Sequence, residues 1–152
     1  MTQETLLPQI LRLLPSGATV AVEPDNSALR VPGAYVLLLH LAVPLAFSRR
    51  GMASAPLSGW YLYVGSAHGG GGIGARLRHH FRTDKRIRWH IDELTLAANR
   101  MTALAIPDGA ECDIVARLGQ SKAFVPALKG FGSSDCTRCT THLLQPAGQF
   151  QP

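Results

Sequence analysis

The sequence predicts an α+β fold, with a small, mostly antiparallel sheet of about three core strands flanked by helices. Three observations carry that expectation. Short runs rich in Val, Leu, Ile and aromatic residues stand at 33–41, 60–64 and 101–106, with the length and composition of strands. Segments with apolar residues at helical spacing stand before, between and after them. Their order does not follow strict βαβ alternation, so a parallel doubly wound sheet is not expected.

Taken in order, Thr2 to Leu14 places Leu6, Leu7, Ile10, Leu11 and Leu14 at helical spacing. That predicts a short amphipathic helix stopped by Pro15-Ser16-Gly17, with Pro8 weakening its first turn. Ala18 to Val22 alternates weakly and reads as strand, and Pro24-Asp25-Asn26-Ser27 as turn. Gly33 to Leu41 is apolar on both faces apart from the Tyr35 hydroxyl and His40, the pattern of a central strand. Arg49 to Ser58 is a polar loop. Trp60 to Val64 is aromatic and β-prone, a second strand joined to the first as a wide antiparallel hairpin. Gly69 to Gly72 opens into a helix from Ile73 to Arg82. At about 100° per residue, Ile73, Leu77 and Phe81 share a stripe roughly 80° wide. The stripe is expected to face the core, with Arg76 and His80 at its edge and Arg78 and Arg82 toward water. Trp89 to Ala98 is helical, Met101 to Ile106 is a third strand, and Pro107-Asp108-Gly109-Ala110-Glu111 opens a helix through Leu118. Gly130 to Cys136 is a Gly/Ser loop, Thr140 to Leu144 a closing strand, and the tail after Pro146 is expected to fray. The domain plan is a short extension over 1–32, a folded domain over 33–145 and a tail over 146–152.

The chain has 152 residues, 46% hydrophobic and 16% charged, enough apolar material for one domain core and too much for disorder. No apolar run reaches the ~20 residues of a membrane span. The longest, Ala34 to Ala46, is interrupted by His40 and Pro44. The first residues show no basic start followed by an apolar stretch, so no secretory leader is expected. Three cysteines, an odd number, argue against a disulfide scaffold, and a reducing cytoplasmic setting is expected. Net charge is +5, and 12 of the 15 basic residues are arginine, whose planar fork matches phosphate. Six of the 15 lie between Arg76 and Arg88 against one acid, Asp84. Such a cluster suggests a polyanion, most often nucleic acid; the alternative is a solvated helix face.

Gly33-Ala34-Tyr35 opens the first strand and Tyr63-Val64-Gly65 ends the second. Arg76 follows on the next helix, then His80, His90 and the Glu111 helix. With Ala34 and Val64 in place of two isoleucines, this order resembles the GIY-YIG nuclease superfamily. It is closest to the branch described as domain of unknown function 123. Tyr63-Val64-Gly65-Ser66-Ala67, the glycine run into a basic helix, Arg88-Trp89-His90-Ile91-Asp92, and Phe131-Gly132-Ser133-Ser134-Asp135-Cys136 followed by His142 carry the likeness, over Gly33 to Leu144. The resemblance implies phosphodiester hydrolysis with one divalent cation, Mg2+ or Mn2+. It implies that Tyr35, Tyr63, Arg76 and Glu111 line one site, with Glu111 holding the metal and Arg76 stabilising the phosphate. A tyrosine, His80 or His90 would help deprotonate the attacking water. The expected function is a DNA endonuclease in repair or genome maintenance. Arg78, Arg82, Lys85, Arg86 and Arg88 are the expected nucleic-acid contacts. The residues before Gly33 are too few for a separate DNA-binding domain, so specificity falls to this domain or to a protein partner.

Each feature also has a plainer reading. The tyrosines can be ordinary strand residues. Glu111 can close a capping box with Asp108, and the four glycines, which could cradle a phosphate at a helix N-terminus, can be only a turn. Cys136-x-x-Cys139-x-x-His142 offers three tetrahedral zinc ligands, with Cys112, His68, His90, Asp135 or water as the fourth. Only three donors lie in sequence order, so zinc is the lesser expectation and a reduced pair behind the Ser133-Ser134 loop the greater. Two rivals to an endonuclease follow: a non-catalytic nucleic-acid-binding module on the same fold, and a zinc-stabilised interaction domain.

Overall fold

A computed structural model describes residues 1–23, 25–49, 52–53, 56–132 and 138–149. The helices are α1 (Gln3–Leu13), α2 (Gly72–Phe81), α3 (His90–Ala97) and α4 (Glu111–Gln120). The strands are β1 (Thr19–Val20), β2 (Gly33–Leu45), β3 (Ser48–Arg49), β4 (Met52–Ala53), β5 (Leu57–Ala67), β6 (Arg100–Pro107), β7 (Phe124–Pro126) and β8 (Leu143–Pro146). Among the described residues, six strands form one sheet in the order β1-β6-β2-β5-β8-β7, every pairing antiparallel. The sheet is therefore larger than the three core strands expected. Those three are present and central, and short edge strands extend them. Part of the expected Arg49–Ser58 loop is the separate ribbon of β3 and β4, and β5 already runs from Leu57.

β2 and β5 pair from Gly33↔Ala67 to Leu41↔Gly59, which sets Tyr35 opposite Gly65. Side chains alternate across the sheet with the strand period. Tyr35, Leu37, Leu39 and Leu41 pack with Ile73 and Leu77 of α2 and Ile91 and Leu94 of α3. Ala34, Val36 and Leu38 pack with Leu6 and Ile10 of α1 and Ile114 and Leu118 of α4. The strand expected to be apolar on both faces is thus a middle layer between two helical layers. Burying each of its leucines stabilises the fold by about 1.5–3 kcal/mol.

α1 begins at Thr2, whose hydroxyl accepts the Thr5 N–H at 3.3 Å, and Pro8 sits inside it. The helix fills one core layer and β1 extends the sheet beside β6, so residues 1–32 contribute to the fold itself. The tail is tied down rather than frayed as far as Gln149. Its side-chain oxygen accepts the Trp60 N–H at 2.8 Å, and its side-chain nitrogen donates to the Trp60 carbonyl at 2.8 Å. The Trp60 indole donates to the Met1 carbonyl at 3.3 Å.

α2 differs from the expected stripe. Ile73 and Leu77 are buried, but the third buried position is His80, and Phe81 is 39% exposed. The glycine run makes the turn that starts this helix. Gly72 has φ 62°, and a Cβ there would collide with the Val31 backbone. The Val31 carbonyl accepts the Ile73 N–H at 2.9 Å, so that amide is used within the protein rather than offered to a phosphate.

A candidate active site on the tyrosine face

The register explains the glycine after Tyr63-Val64. A Cβ on Gly65 would overlap Cζ and Oη of Tyr35, so only glycine lets the Tyr35 ring lie across β5. The Tyr35 hydroxyl and His80 Nε2 are hydrogen-bonded at 2.7 Å, and both residues are buried. Tyr63, partly buried on β5, completes a triangle of rings, with centroids 6.4 Å from Tyr35 and 6.3 Å from His80.

Burial first, then the nearby Lys85 cation, pushes the His80 imidazole down to about 3, so it is neutral in the working pH range. Its Nδ1 is buried with no hydrogen-bond partner among the described residues. Burial raises both phenols, Tyr35 well above its ordinary value and Tyr63 to about 12. Glu111 raises both further, while Arg76 draws both down. One carboxylate and one guanidinium, 35 positions apart in the chain, therefore act on the same two hydroxyls.

Glu111 is the first residue of α4, and the helix start carries no side-chain cap. The capping box with Asp108 is not formed; Asp108 has φ 58°. The Glu111 side chain is 28% exposed, and its Oε2 lies 3.6 Å from Nδ1 of buried His142. It is a carboxylate with oxygen to offer, which suits a hard divalent cation. The Arg76 guanidinium lies over the Trp89 ring at 4.6 Å and makes no ion pair among the described residues. His90 lies apart from the phenols, packed against Phe47 and Phe131, and Phe131 in turn meets Tyr63 edge-on.

The basic cluster divides. Arg78 pairs loosely with Asp25 and Arg82 with Asp84, each at 3.3 Å and exposed. Arg86 is exposed, and Arg88 is exposed with its guanidinium 5.0 Å from the Trp89 ring centroid. Lys85 corrects the expectation of a phosphate contact, because its side chain is only 3% exposed. Its ammonium donates to the His79 and His80 carbonyls at 3.2 and 2.8 Å and to Thr95 Oγ1 at 2.6 Å, and faces Asp92 at 3.8 Å. It thus closes the C-terminal end of α2, where cations are favoured. Asp92 is fully buried. It accepts the Arg88 and Trp89 N–H groups at 2.8 and 3.1 Å, and its Oδ1 is hydrogen-bonded to His79 Nε2 at 2.9 Å. Burial pulls its carboxyl up, but these bonds outweigh that and hold it below its ordinary value. This network fixes the α2–α3 connection behind the site. In the sequence it showed only as Asp92 three residues after Trp89.

Cys139 and His142 lie beside Cys112 of α4, while Cys136 lies outside the described residues, as do Ser133, Ser134 and Asp135.

The family described as Domain of unknown function DUF123 matches residues 34–151. The chain belongs to it. The DUF123 match spans β2 to the tail tied at Gln149, and so includes Tyr35, Tyr63, Arg76, His80 and Glu111. No curated protein and no solved structure matches the chain. Among the described residues, no helix is long and apolar enough to cross a membrane.

Proposed function

We propose that this DUF123 protein is a divalent-metal-dependent endonuclease of GIY-YIG type, hydrolysing phosphodiester bonds in DNA during repair or genome maintenance. What supports the reading is the meeting of opposite charges at one pair of phenols: Arg76 and Glu111 both act on Tyr35 and Tyr63. In this reading Glu111 holds one Mg2+ or Mn2+, which when bound supplies Lewis acidity toward a phosphoryl oxygen. Arg76, stacked on Trp89, meets the phosphate with a pre-oriented planar fork and stabilises charge that builds on it. Tyr63 is the partly exposed phenol and meets substrate. His80 is a positioning residue that fixes the Tyr35 hydroxyl. Arg78, Arg82, Arg86 and Arg88 form the exposed rim for backbone phosphates, which position a nucleic acid without reading its sequence.

A second reading, a nucleic-acid-binding module on the same fold, has one observation in its favour. Burial raises the Tyr35 and Tyr63 phenols and lowers the His80 imidazole, so all three are held in their neutral forms and none is a ready acid or base before a cation is present. One experiment separates the two. Purified protein is incubated with flap, nicked and single-stranded DNA, with Mg2+ or Mn2+ and with EDTA, alongside Glu111→Gln. The endonuclease reading expects cleavage only with the cation. It also expects a loss of about 100- to 1,000-fold in Glu111→Gln at nearly unchanged melting temperature. Binding without cleavage under every condition selects the module instead.

A further inference from the structure

Outside the tyrosine site, the fold gathers a second set of metal-ligating side chains. Cys112 is the second residue of α4, and Cys139 and His142 precede β8. A donor atom from each lies within 4.8 Å of the others. From these three side chains we infer a zinc site that ties the start of α4 to the segment entering β8.

Four observations carry it. The donor set is two thiols and an imidazole, the soft mixture that selects zinc over magnesium or calcium. The spacing is close to that of a metal centre: zinc–sulfur bonds near 2.3 Å put tetrahedral donors about 3.8 Å apart, so closure requires a contraction of at most about 1 Å. His142 is 2% exposed, and its Nε2 is buried with no hydrogen-bond partner among the described residues. An orphaned imidazole nitrogen is costly in a protein interior, and a metal bond removes that cost. The opposite nitrogen, Nδ1, faces Glu111 Oε2 at 3.6 Å. A ligating histidine characteristically turns its second nitrogen to a carboxylate, which fixes the ring and strengthens it as a donor.

The surroundings suit thiolates. Cys112 sits at a helix N-terminus, where the dipole favours negative charge. From the sequence zinc is the lesser expectation because only Cys136, Cys139 and His142 lie in sequence order, with Cys112 standing 27 positions before Cys139. Folding α4 against the sheet removes that separation. Of the other candidates for an added ligand, neither His68 nor His90 belongs to the described cluster. Cys136 is not assigned.

The site is distinct from a cation site at Glu111 in what it accepts. Magnesium in excess does not displace zinc from thiolates, whereas a carboxylate site exchanges readily. The test uses the full chain, purified and kept reduced, without DNA. Elemental analysis after desalting into excess magnesium is expected to find one zinc per chain. Replacement by cobalt(II) is expected to give thiolate charge-transfer absorption and the strong visible bands of a tetrahedral ion. Cys112→Ser and Cys139→Ser, near-isosteric changes at half-buried positions, should each lose the zinc on desalting and lose charge-transfer intensity with cobalt. Circular dichroism at low temperature checks that each variant is folded. Removing zinc with a chelator should lower the wild-type melting temperature. Two results would overturn the site: wild-type protein that takes up no stoichiometric zinc and shows no cobalt–thiolate absorption, or a Cys112→Ser variant that binds zinc as tightly as wild type. Neither depends on nuclease activity, so the two readings fail separately.

Discussion

His80 makes a quantitative test of the tyrosine face, because the residue is 1% exposed and its imidazole is held at about 3 against an ordinary value of 6.5. Between those values the unfolded chain binds a proton that the folded chain refuses. Stability therefore rises with pH across that window and falls as acid is added. The slope approaches about 1.4 kcal/mol per pH unit well below 6.5. Acidifying from pH 7 to pH 5 should thus remove about 2 kcal/mol through this residue alone. In a domain of this size that corresponds to roughly 4–8 °C of melting temperature. The measurement is urea unfolding at both pH values for wild type and His80→Gln. Glutamine does not titrate, so its curve should lack this contribution while other acid-sensitive groups, such as the Asp92 network, remain in both proteins. The variant should also lose about 1 kcal/mol at pH 7 with the Tyr35 hydrogen bond. If the two proteins lose the same stability between pH 7 and pH 5, His80 is not buried and neutral beside Tyr35, and the geometry of the face is wrong.

Arg76→Ala should lower DNA turnover far more than binding, since its role lies in the transition state. Arg78→Ala and Arg82→Ala should each weaken duplex binding and reduce the salt slope by roughly one; equal effects from all three would contradict the separation of the two arginine faces. Gly65→Ala, by driving a methyl group into the Tyr35 ring, should cost about 1–3 kcal/mol in denaturant unfolding, and wild-type stability in that variant would remove the close approach of Tyr35 to β5. Lys85→Met should cost about 1–3 kcal/mol by leaving the His79 and His80 carbonyls and Thr95 Oγ1 without their buried donor and leave the salt slope of DNA binding unchanged, whereas a drop of about one in that slope would return Lys85 to the phosphate-contacting set.

Much of this was legible in the residues, and what was not has identifiable causes. The Val- and Leu-rich run of β2 announced a central strand and its antiparallel hairpin with the strand of Tyr63-Val64-Gly65, while the register that sets Tyr35 opposite Gly65 came only with the fold. The face of α2 was misjudged by one position. His80 lies roughly 40° from the mean direction of Ile73 and Leu77, and Phe81 roughly 60°. Angle alone favoured His80, but apolar rank favoured Phe81. What reversed the ranking is the Tyr35 hydroxyl on the facing strand, a partner no helical period reveals. The basic cluster misled for a related reason. Charge counting treats Lys85 like Arg86, and only the fold shows that one ammonium is turned inward to Asp92 and the end of α2. β7 escaped notice because three residues ending in Pro126 carry no periodicity.

The bonds around Trp60 have a consequence for how the domain can be joined to others. Met1 and Gln149 both reach the same tryptophan, whose side chain belongs to the core layer of α1 and α4 rather than that of the tyrosines. Chain entering before Met1 and chain leaving after Gln149 therefore start from neighbouring points. A module fused before Met1 therefore starts on the side of the sheet away from Tyr35 and Tyr63. The same neighbourhood makes the domain suited to circular permutation: a short linker can join the old ends, and new ones can be opened in an exposed loop. Such a permuted chain keeps every strand pairing that sets Tyr35 against Gly65, so the tyrosine face can be carried between architectures as a unit.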